Sequence, residues 1–303
     1  EKLALDSYMQ LIVAAPETPV SVQARLELAA LRAARGDPAN ALDLLADALE
    51  KNPSVEVAER IRLRLAVVLL SKGDPKAALA QTAAVAKNPA TTFPGEVRYL
   101  TAEACIQQKD WGKAIEQLLP FRDQGPFQNV PGLSDRALLR LGHALAQAGQ
   151  WDQARVSFET LVQRFGQSPW VDEARYNLGF AWQKMNQLDQ AVNNYAEVTR
   201  RTVSLLGAKA QLQLGLCRLE QKNFPEAAKS LLVVPYTYDY PELNATALSQ
   251  AAQAYMGLTQ PAEAAKLWQR VVKEHPNTEW AKAAEQGLAA LQPPPPPAPA
   301  PAP

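Results

Sequence analysis

The chain has almost nothing with which to do acid–base, metal or redox chemistry. Its 303 residues hold two histidines, His143 and His275, and two cysteines, Cys105 and Cys217. No Cys/His cluster has metal-ligand spacing. The cysteines fall on segments that read as helices, and a disulfide framework needs more of them in a smaller domain. Each therefore reads as a small buried apolar side chain. Walker, GxGxxG and GxSxG motifs are missing, and no two carboxylates are placed by their spacing to share a site. The chain is read as non-catalytic, with no cofactor. An excess of charge is missing too: Lys plus Arg and Asp plus Glu are 31 each. That balance removes any long-range attraction for nucleic acid. No apolar run approaches the roughly 20 residues that span a bilayer. Aromatics make up only 7% against 47% hydrophobic residues, so the apolar set is mostly Ala and Leu, which cost least to hold in a helix.

What is present is a repeat. Turn signals recur at Gly36-Asp37-Pro38, Gly73-Asp74-Pro75, Lys109-Asp110-Trp111, Gly149-Gln150-Trp151, Asn186-Gln187-Leu188, Asn223-Phe224-Pro225 and Thr259-Gln260-Pro261. An alanine follows each at a near-fixed offset: Ala41, Ala78, Ala114, Ala154, Ala191, Ala227 and Ala264, separated by 37, 36, 40, 37, 36 and 37 residues. An alanine early in the second helix of a hairpin lets the first helix approach closely. Thirteen residues before five of these anchors stand Leu28, Leu65, Leu141, Leu178 and Leu214, each followed by Ala or Gly. Four residues after an anchor come Leu45, Leu118, Phe158, Tyr195, Leu231 and Trp268; twelve after come Pro53, Pro126 and Pro276, which end second helices.

Leu-Gly, a turn, Ala, a large apolar residue and then Pro resembles the tetratricopeptide repeat (TPR) pattern, best seen over Ser168-Pro169-Trp170-Val171-Asp172-Glu173-Ala174-Arg175-Tyr176-Asn177-Leu178-Gly179. The resemblance covers nearly the whole chain before its tail and implies an all-α, right-handed superhelical solenoid of helix hairpins. Departures stand beside it. The spacing exceeds the usual period of about 34 residues, repeat three has Thr101-Ala102 for Leu-Gly and a long loop around Gly125 to Gly132, and repeat six is expected to break near Pro235 to Pro241.

The predicted organisation has four parts. Residues 1–20 form the second helix of a truncated repeat, because Ala4, Tyr8 and Pro16 fit the anchor offsets; 21–278 are seven TPR-like repeats. Residues 279–291 form a capping helix, and 292–303, with five successive prolines, a polyproline II tail or linker. An unpaired repeat helix is a poor terminus, so further repeats or a membrane anchor are expected before Glu1.

In stacked hairpins the first helices line the concave face. Positions 15 and 11 before the anchors give Tyr99 and Glu103, Leu139 and His143, Tyr176 and Phe180, Leu212 and Leu216, and Ser249 and Gln253, with Arg136, Arg140 and Lys209 nearby. His143 is expected at the surface or in the groove. Tyr176 and Phe180 either face a partner or pack between repeats. The candidate partner-binding residues are Tyr99, Glu103, Arg136, Leu139, His143, Tyr176, Phe180 and Lys209. TPR domains that clamp a chaperone's terminal carboxylate carry Lys and Asn at these two positions. None of these pairs does, so the resemblance implies a protein or peptide partner with an apolar or amphipathic segment. The Ser168–Gly179 segment also resembles repeats of bacterial cell-envelope proteins, which implies an interaction scaffold in the periplasm or cell envelope. The alternatives are a cytoplasmic adaptor, or the targeting module of a larger protein with a catalytic or membrane domain upstream.

Overall fold

The computed structural model describes residues 2–291; the Pro/Ala tail expected over 292–303 lies outside them. Among the described residues there are sixteen α-helices and one 3₁₀ turn, with no strand. None of these helices is long and apolar enough to cross a membrane. The chain divides into two compact units, Glu1–Thr160 and Leu161–Pro303.

The first unit holds α1 (Lys2–Ala14), α2 (Pro19–Ala34), α3 (Pro38–Glu50), α4 (Val55–Ser71), α5 (Pro75–Ala86), α6 (Pro94–Gln107), α7 (Trp111–Asp123), the 3₁₀ turn Gly125–Phe127, α8 (Ser134–Gln147) and the start of α9 (Trp151–Arg164). The second holds α10 (Val171–Lys184), α11 (Leu188–Arg201), α12 (Leu205–Glu220), α13 (Phe224–Thr237), α14 (Pro241–Gly257), α15 (Pro261–Glu274) and α16 (Glu279–Ala290). Within each unit successive helices pack as hairpins. First helices also meet one another: α2 with α4 and α4 with α6 in the first unit, α10 with α12, α12 with α14 and α14 with α16 in the second.

The turns explain the spacing. Five residues before every anchor the backbone takes a positive φ: Gly36, Gly73, Lys109 and Gly149 in the first unit, Asn186, Lys222 and Thr259 in the second. This left-handed residue ends the first helix and reverses the chain. At three of the four turns of the first unit the next residue caps the second helix: the Asp37, Asp74 and Asp110 carboxylates accept from the backbone N–H groups of Asn40, Ala77 and Lys113 at 3.4, 3.0 and 3.2 Å. Gln187, Asn223 and Gln260, their counterparts in the second unit, make no such side-chain bond.

All seven anchor alanines are 0% exposed. The residue four further on reaches across to the small residue of the first helix. A Cβ on Gly142 would stand 2.3 Å from the Phe158 ring, and one on Gly179 2.9 Å from the Tyr195 ring. Neither ring can retreat, since both are fully buried, so only glycine admits them at this packing density. In repeat three, despite its altered sequence, Ala102, Ala114 and Leu118 are likewise fully buried.

The break expected near Pro235 to Pro241 falls within that stretch: α13 continues through Pro235 to Thr237, the chain leaves the helix at Tyr238, which is extended, and α14 begins at Pro241. α7 likewise contains Pro120. Near a helix C-terminus a proline forfeits one backbone hydrogen bond while its fixed φ stays helical, and the burial of Leu231 and Val234 holds the last turn in place.

α1 packs on α2 with Leu5 buried, while Leu3 and Val13 are exposed. At the other end α16 lies on α15 and α14; Ala281 and Ala284 are buried, and Gly287 sits under the Trp268 ring.

Candidate functional site

Three first helices of the first unit, α4, α6 and α8, line a cleft of about 630 Å³. Residues 18, 15, 14 and 11 before an anchor recur along this face, because positions four apart share one stripe of a helix. From α4 they are Arg60, Leu63, Arg64 and Val67; from α6, Glu96, Tyr99, Leu100 and Glu103; α8 contributes Arg136 and Arg140. Leu70, Phe93 and Leu133 complete the walls. Leu133 comes from the loop that accounts for the 40-residue spacing. Together with Val130 it lies against α6, 3.3 and 3.7 Å from where a Gly95 Cβ would be. The extra residues thus supply one wall of the cleft.

Its floor is apolar and its rim is rich in arginine. Leu63, Tyr99, Leu100 and Leu133 are each under 10% exposed, whereas Val67 is 44% exposed. Burial first, and the neighbouring Glu103 carboxylate second, push the Tyr99 phenol up to about 12, so it stays protonated as a donor at neutral pH. Glu103 accepts a charge-assisted bond from Arg140 Nε at 2.7 Å. The Arg136 guanidinium lies 5.5 Å from the Tyr99 ring centroid and that of Arg60 5.8 Å from Phe93, cation–π contacts that keep these long side chains over the rim. Arg60 also pairs with Glu56 at 3.0 Å. The lining carries four guanidiniums against two carboxylates, Glu96 and Glu103. Nothing in this arrangement positions a nucleophile or a proton-transfer pair; it can bury an apolar side chain and meet negative charge.

Comparison with known families follows the repeat across both units. A tetratricopeptide repeat-like domain matches residues 1–116, and tetratricopeptide repeat models match 136–168, 183–238 and 246–278. The chain belongs to the tetratricopeptide repeat family. No curated protein matches this TPR chain in sequence. Among solved structures it is similar to the C-terminal part of a TPR repeat-containing protein from Cytophaga hutchinsonii (15% identity, TM-score 0.68, covering 87% of this chain and 99% of that one). It also resembles a TPR protein from Parabacteroides merdae (12%, 0.55, 88% and 97%) and the apo form of the quorum sensor NprR from B. thuringiensis (15%, 0.55, 89% and 80%). At such identities the likeness is one of fold. The TPR fold is in general a scaffold for protein–protein interaction, and the repeats of this chain support that general role.

Of the eight residues expected from the TPR register, Tyr99, Glu103 and Arg136 come together in the cleft, joined by Arg140. Leu139 does not line it and is buried at 5% exposure. His143, expected at the surface or in the groove, packs edge-on against Phe158, ring centroids 5.7 Å apart. Burial, then the Arg140 charge, lowers its pKa to about 4, leaving it neutral. Tyr176, Phe180 and Lys209 belong to the second unit. Tyr176 stacks on Tyr195 at 5.6 Å, Lys184 Nζ sits 5.1 Å from the centre of the Phe180 ring, and Lys209 is exposed on α12. The sequence reading passed over Arg60, Leu63, Arg64 and Val67. The signal was there: counting 15 and 11 back from Ala78 lands on Leu63 and Val67, and 18 and 14 back on Arg60 and Arg64.

Proposed function

We propose that this TPR protein holds a segment of a partner protein in the α4–α6–α8 cleft, acting as an assembly scaffold in a bacterial cell envelope. The supporting observation is the cleft itself: about 630 Å³, apolar at its floor, and bordered by long basic side chains. That volume lies within the usual range of roughly 300–1,000 Å³ for ligand sites and suits a few side chains of a peptide. An amphipathic segment fits such a surface because burial supplies affinity while the rim sets orientation. The envelope assignment rests on the resemblance of the Ser168–Gly179 segment to repeats of that compartment, and the Pro/Ala run after Gln292 suits a spacer there.

A photo-crosslinking side chain placed at Val67, in cells expressing the full gene product, is expected to trap a partner. The same group at Glu116, exposed on α7, is expected to trap nothing comparable. Equal capture from both positions overturns the cleft as the site. Fractionation of the same cells tests the compartment, and recovery with cytoplasmic markers alone overturns the envelope reading.

A further inference from the structure

The rim of the cleft is not electrically balanced, and the imbalance is local. Two of its four guanidiniums have carboxylates of their own: Arg140 holds Glu103 at 2.7 Å, and Arg60 holds Glu56 at 3.0 Å. Arg64 and Arg136 meet no carboxylate within ion-pair distance among the described residues. They sit on α4 and α8, the two outer helices, with α6 between them. Arg136 rests over the Tyr99 ring, a contact that leaves the edge N–H donors of a guanidinium for other acceptors. The only acidic side chain in the lining besides Glu103 is Glu96 on α6. Between the two unpaired guanidiniums lies the apolar strip of Leu63, Val67, Tyr99 and Leu100.

Resting on the proposed function above, we infer that the cleft selects an acidic amphipathic segment: a large aliphatic side chain enters the strip, and side-chain carboxylates on either side of it reach Arg64 and Arg136. Charge complementarity argues for this occupant. A basic segment would meet two guanidiniums without ion-pair partners against the single carboxylate of Glu96, and a neutral one would leave both guanidiniums without a charged partner. The carboxylates are placed on side chains because there are two of them, one at each side of the strip, and a chain end supplies only one.

The test uses the intact chain and synthetic peptides blocked at both ends. In the first peptide two adjacent leucines are flanked on each side by a glutamate; in the second the glutamates are glutamines; a third has the glutamine sequence with a free terminal carboxylate. Binding is followed by fluorescence anisotropy. The glutamate peptide is expected to bind about tenfold more tightly than the glutamine peptide, and that advantage should shrink as salt rises. In the double variant R64Q/R136Q, both positions being exposed, the advantage is expected to fall below about twofold, with unchanged melting. Val67→Lys should abolish binding of every peptide. If glutamate and glutamine peptides bind alike and Val67→Lys still abolishes both, the cleft is a binding site but the acidic selection is wrong. If only the free-carboxylate peptide binds, the occupant is a chain end and the inference fails. If no peptide binds, the cleft reading falls with it.

Discussion

The same register runs through both units, yet it produces an open cleft in one and ring-on-ring packing in the other. Fifteen residues before Ala114 stands Tyr99, and fifteen before Ala191 stands Tyr176. Tyr99 lies at the bottom of a cleft with a guanidinium above it. Tyr176 is taken up by Tyr195, the large residue four beyond its own anchor. In repeat three that place is held by Leu118, which leaves no second ring for Tyr99 to meet. A concave position is therefore a place where a partner can bind only if the protein has not already filled it. The turns before the anchors differ in a parallel way: in the first unit three of the four left-handed residues are glycines and three of the four are followed by a capping Asp, while the second unit uses Asn, Lys and Thr with no such cap.

His143 offers the largest test, because it sits half-buried beside the cleft with its ring against Phe158. Its imidazole takes up a proton only near pH 4 in the folded chain, against about 6.5 when unfolded. Between those values the unfolded state binds more protons, so stability should fall as pH drops from 6.5 toward 4 and stay level above 6.5. The shift corresponds to roughly 2–3 kcal/mol. Denaturant melts at stepped pH should show this slope in the wild type, and His143→Gln should lose it. An unchanged slope in the variant would place the histidine in solvent and restore it to the groove.

Next in size is the contrast between filled and open positions. Tyr176→Ala should destabilise by about 2 kcal/mol, since it strips the Tyr195 ring of its neighbour. Val67→Ala, on the exposed wall of the cleft, should cost less than about 0.5 kcal/mol. Thermal melting of the two variants side by side decides the matter: near-identical melting would mean that Tyr176 faces a partner after all.

The smallest effect concerns the turns. Thr259 holds a β-branched side chain at φ 57°, a conformation that costs most residues about 1 kcal/mol. The following Gln260 gives α15 no side-chain cap. Thr259→Gly with Gln260→Asp carries over the Gly73–Asp74 arrangement and should raise stability by about 1 kcal/mol. The reverse pair in the first unit, Gly73→Thr with Asp74→Gln, should lower it by a similar amount; opposite signs would mean that the turns are not interchangeable.

Much of the fold was legible in one spacing. The anchors at Ala41 through Ala264, the small residues at Gly142 and Gly179, and the large residues at Phe158 and Tyr195 meet across each hairpin as their offsets imply. The break near Pro235 to Pro241 was legible as a stretch but not to the residue, because within a turn of a helix end a proline costs little and the helix runs on to Thr237. The site was legible only in part. Tyr99 and Glu103 were legible by offset, and Arg136 as a neighbour of that register. Leu63 and Val67 stand at the same offsets from Ala78, but only the structure shows that they border an opening. His143 lies on the groove register half-buried, with its ring edge-on against Phe158, a contact that no offset shows.

What the sequence determined by itself was the hairpin register, because alanine spacing and turn residues act within about 40 residues of chain, where helix geometry converts sequence distance directly into contact. Which groove positions stay open was decided by the tertiary structure. Exposure of Val67, burial of Leu139 and the imbalance at Arg64 and Arg136 depend on side chains brought from other repeats and on a wall supplied by the loop at Leu133. Those contacts are set by the volumes and charges that meet in space, and no local pattern encodes them.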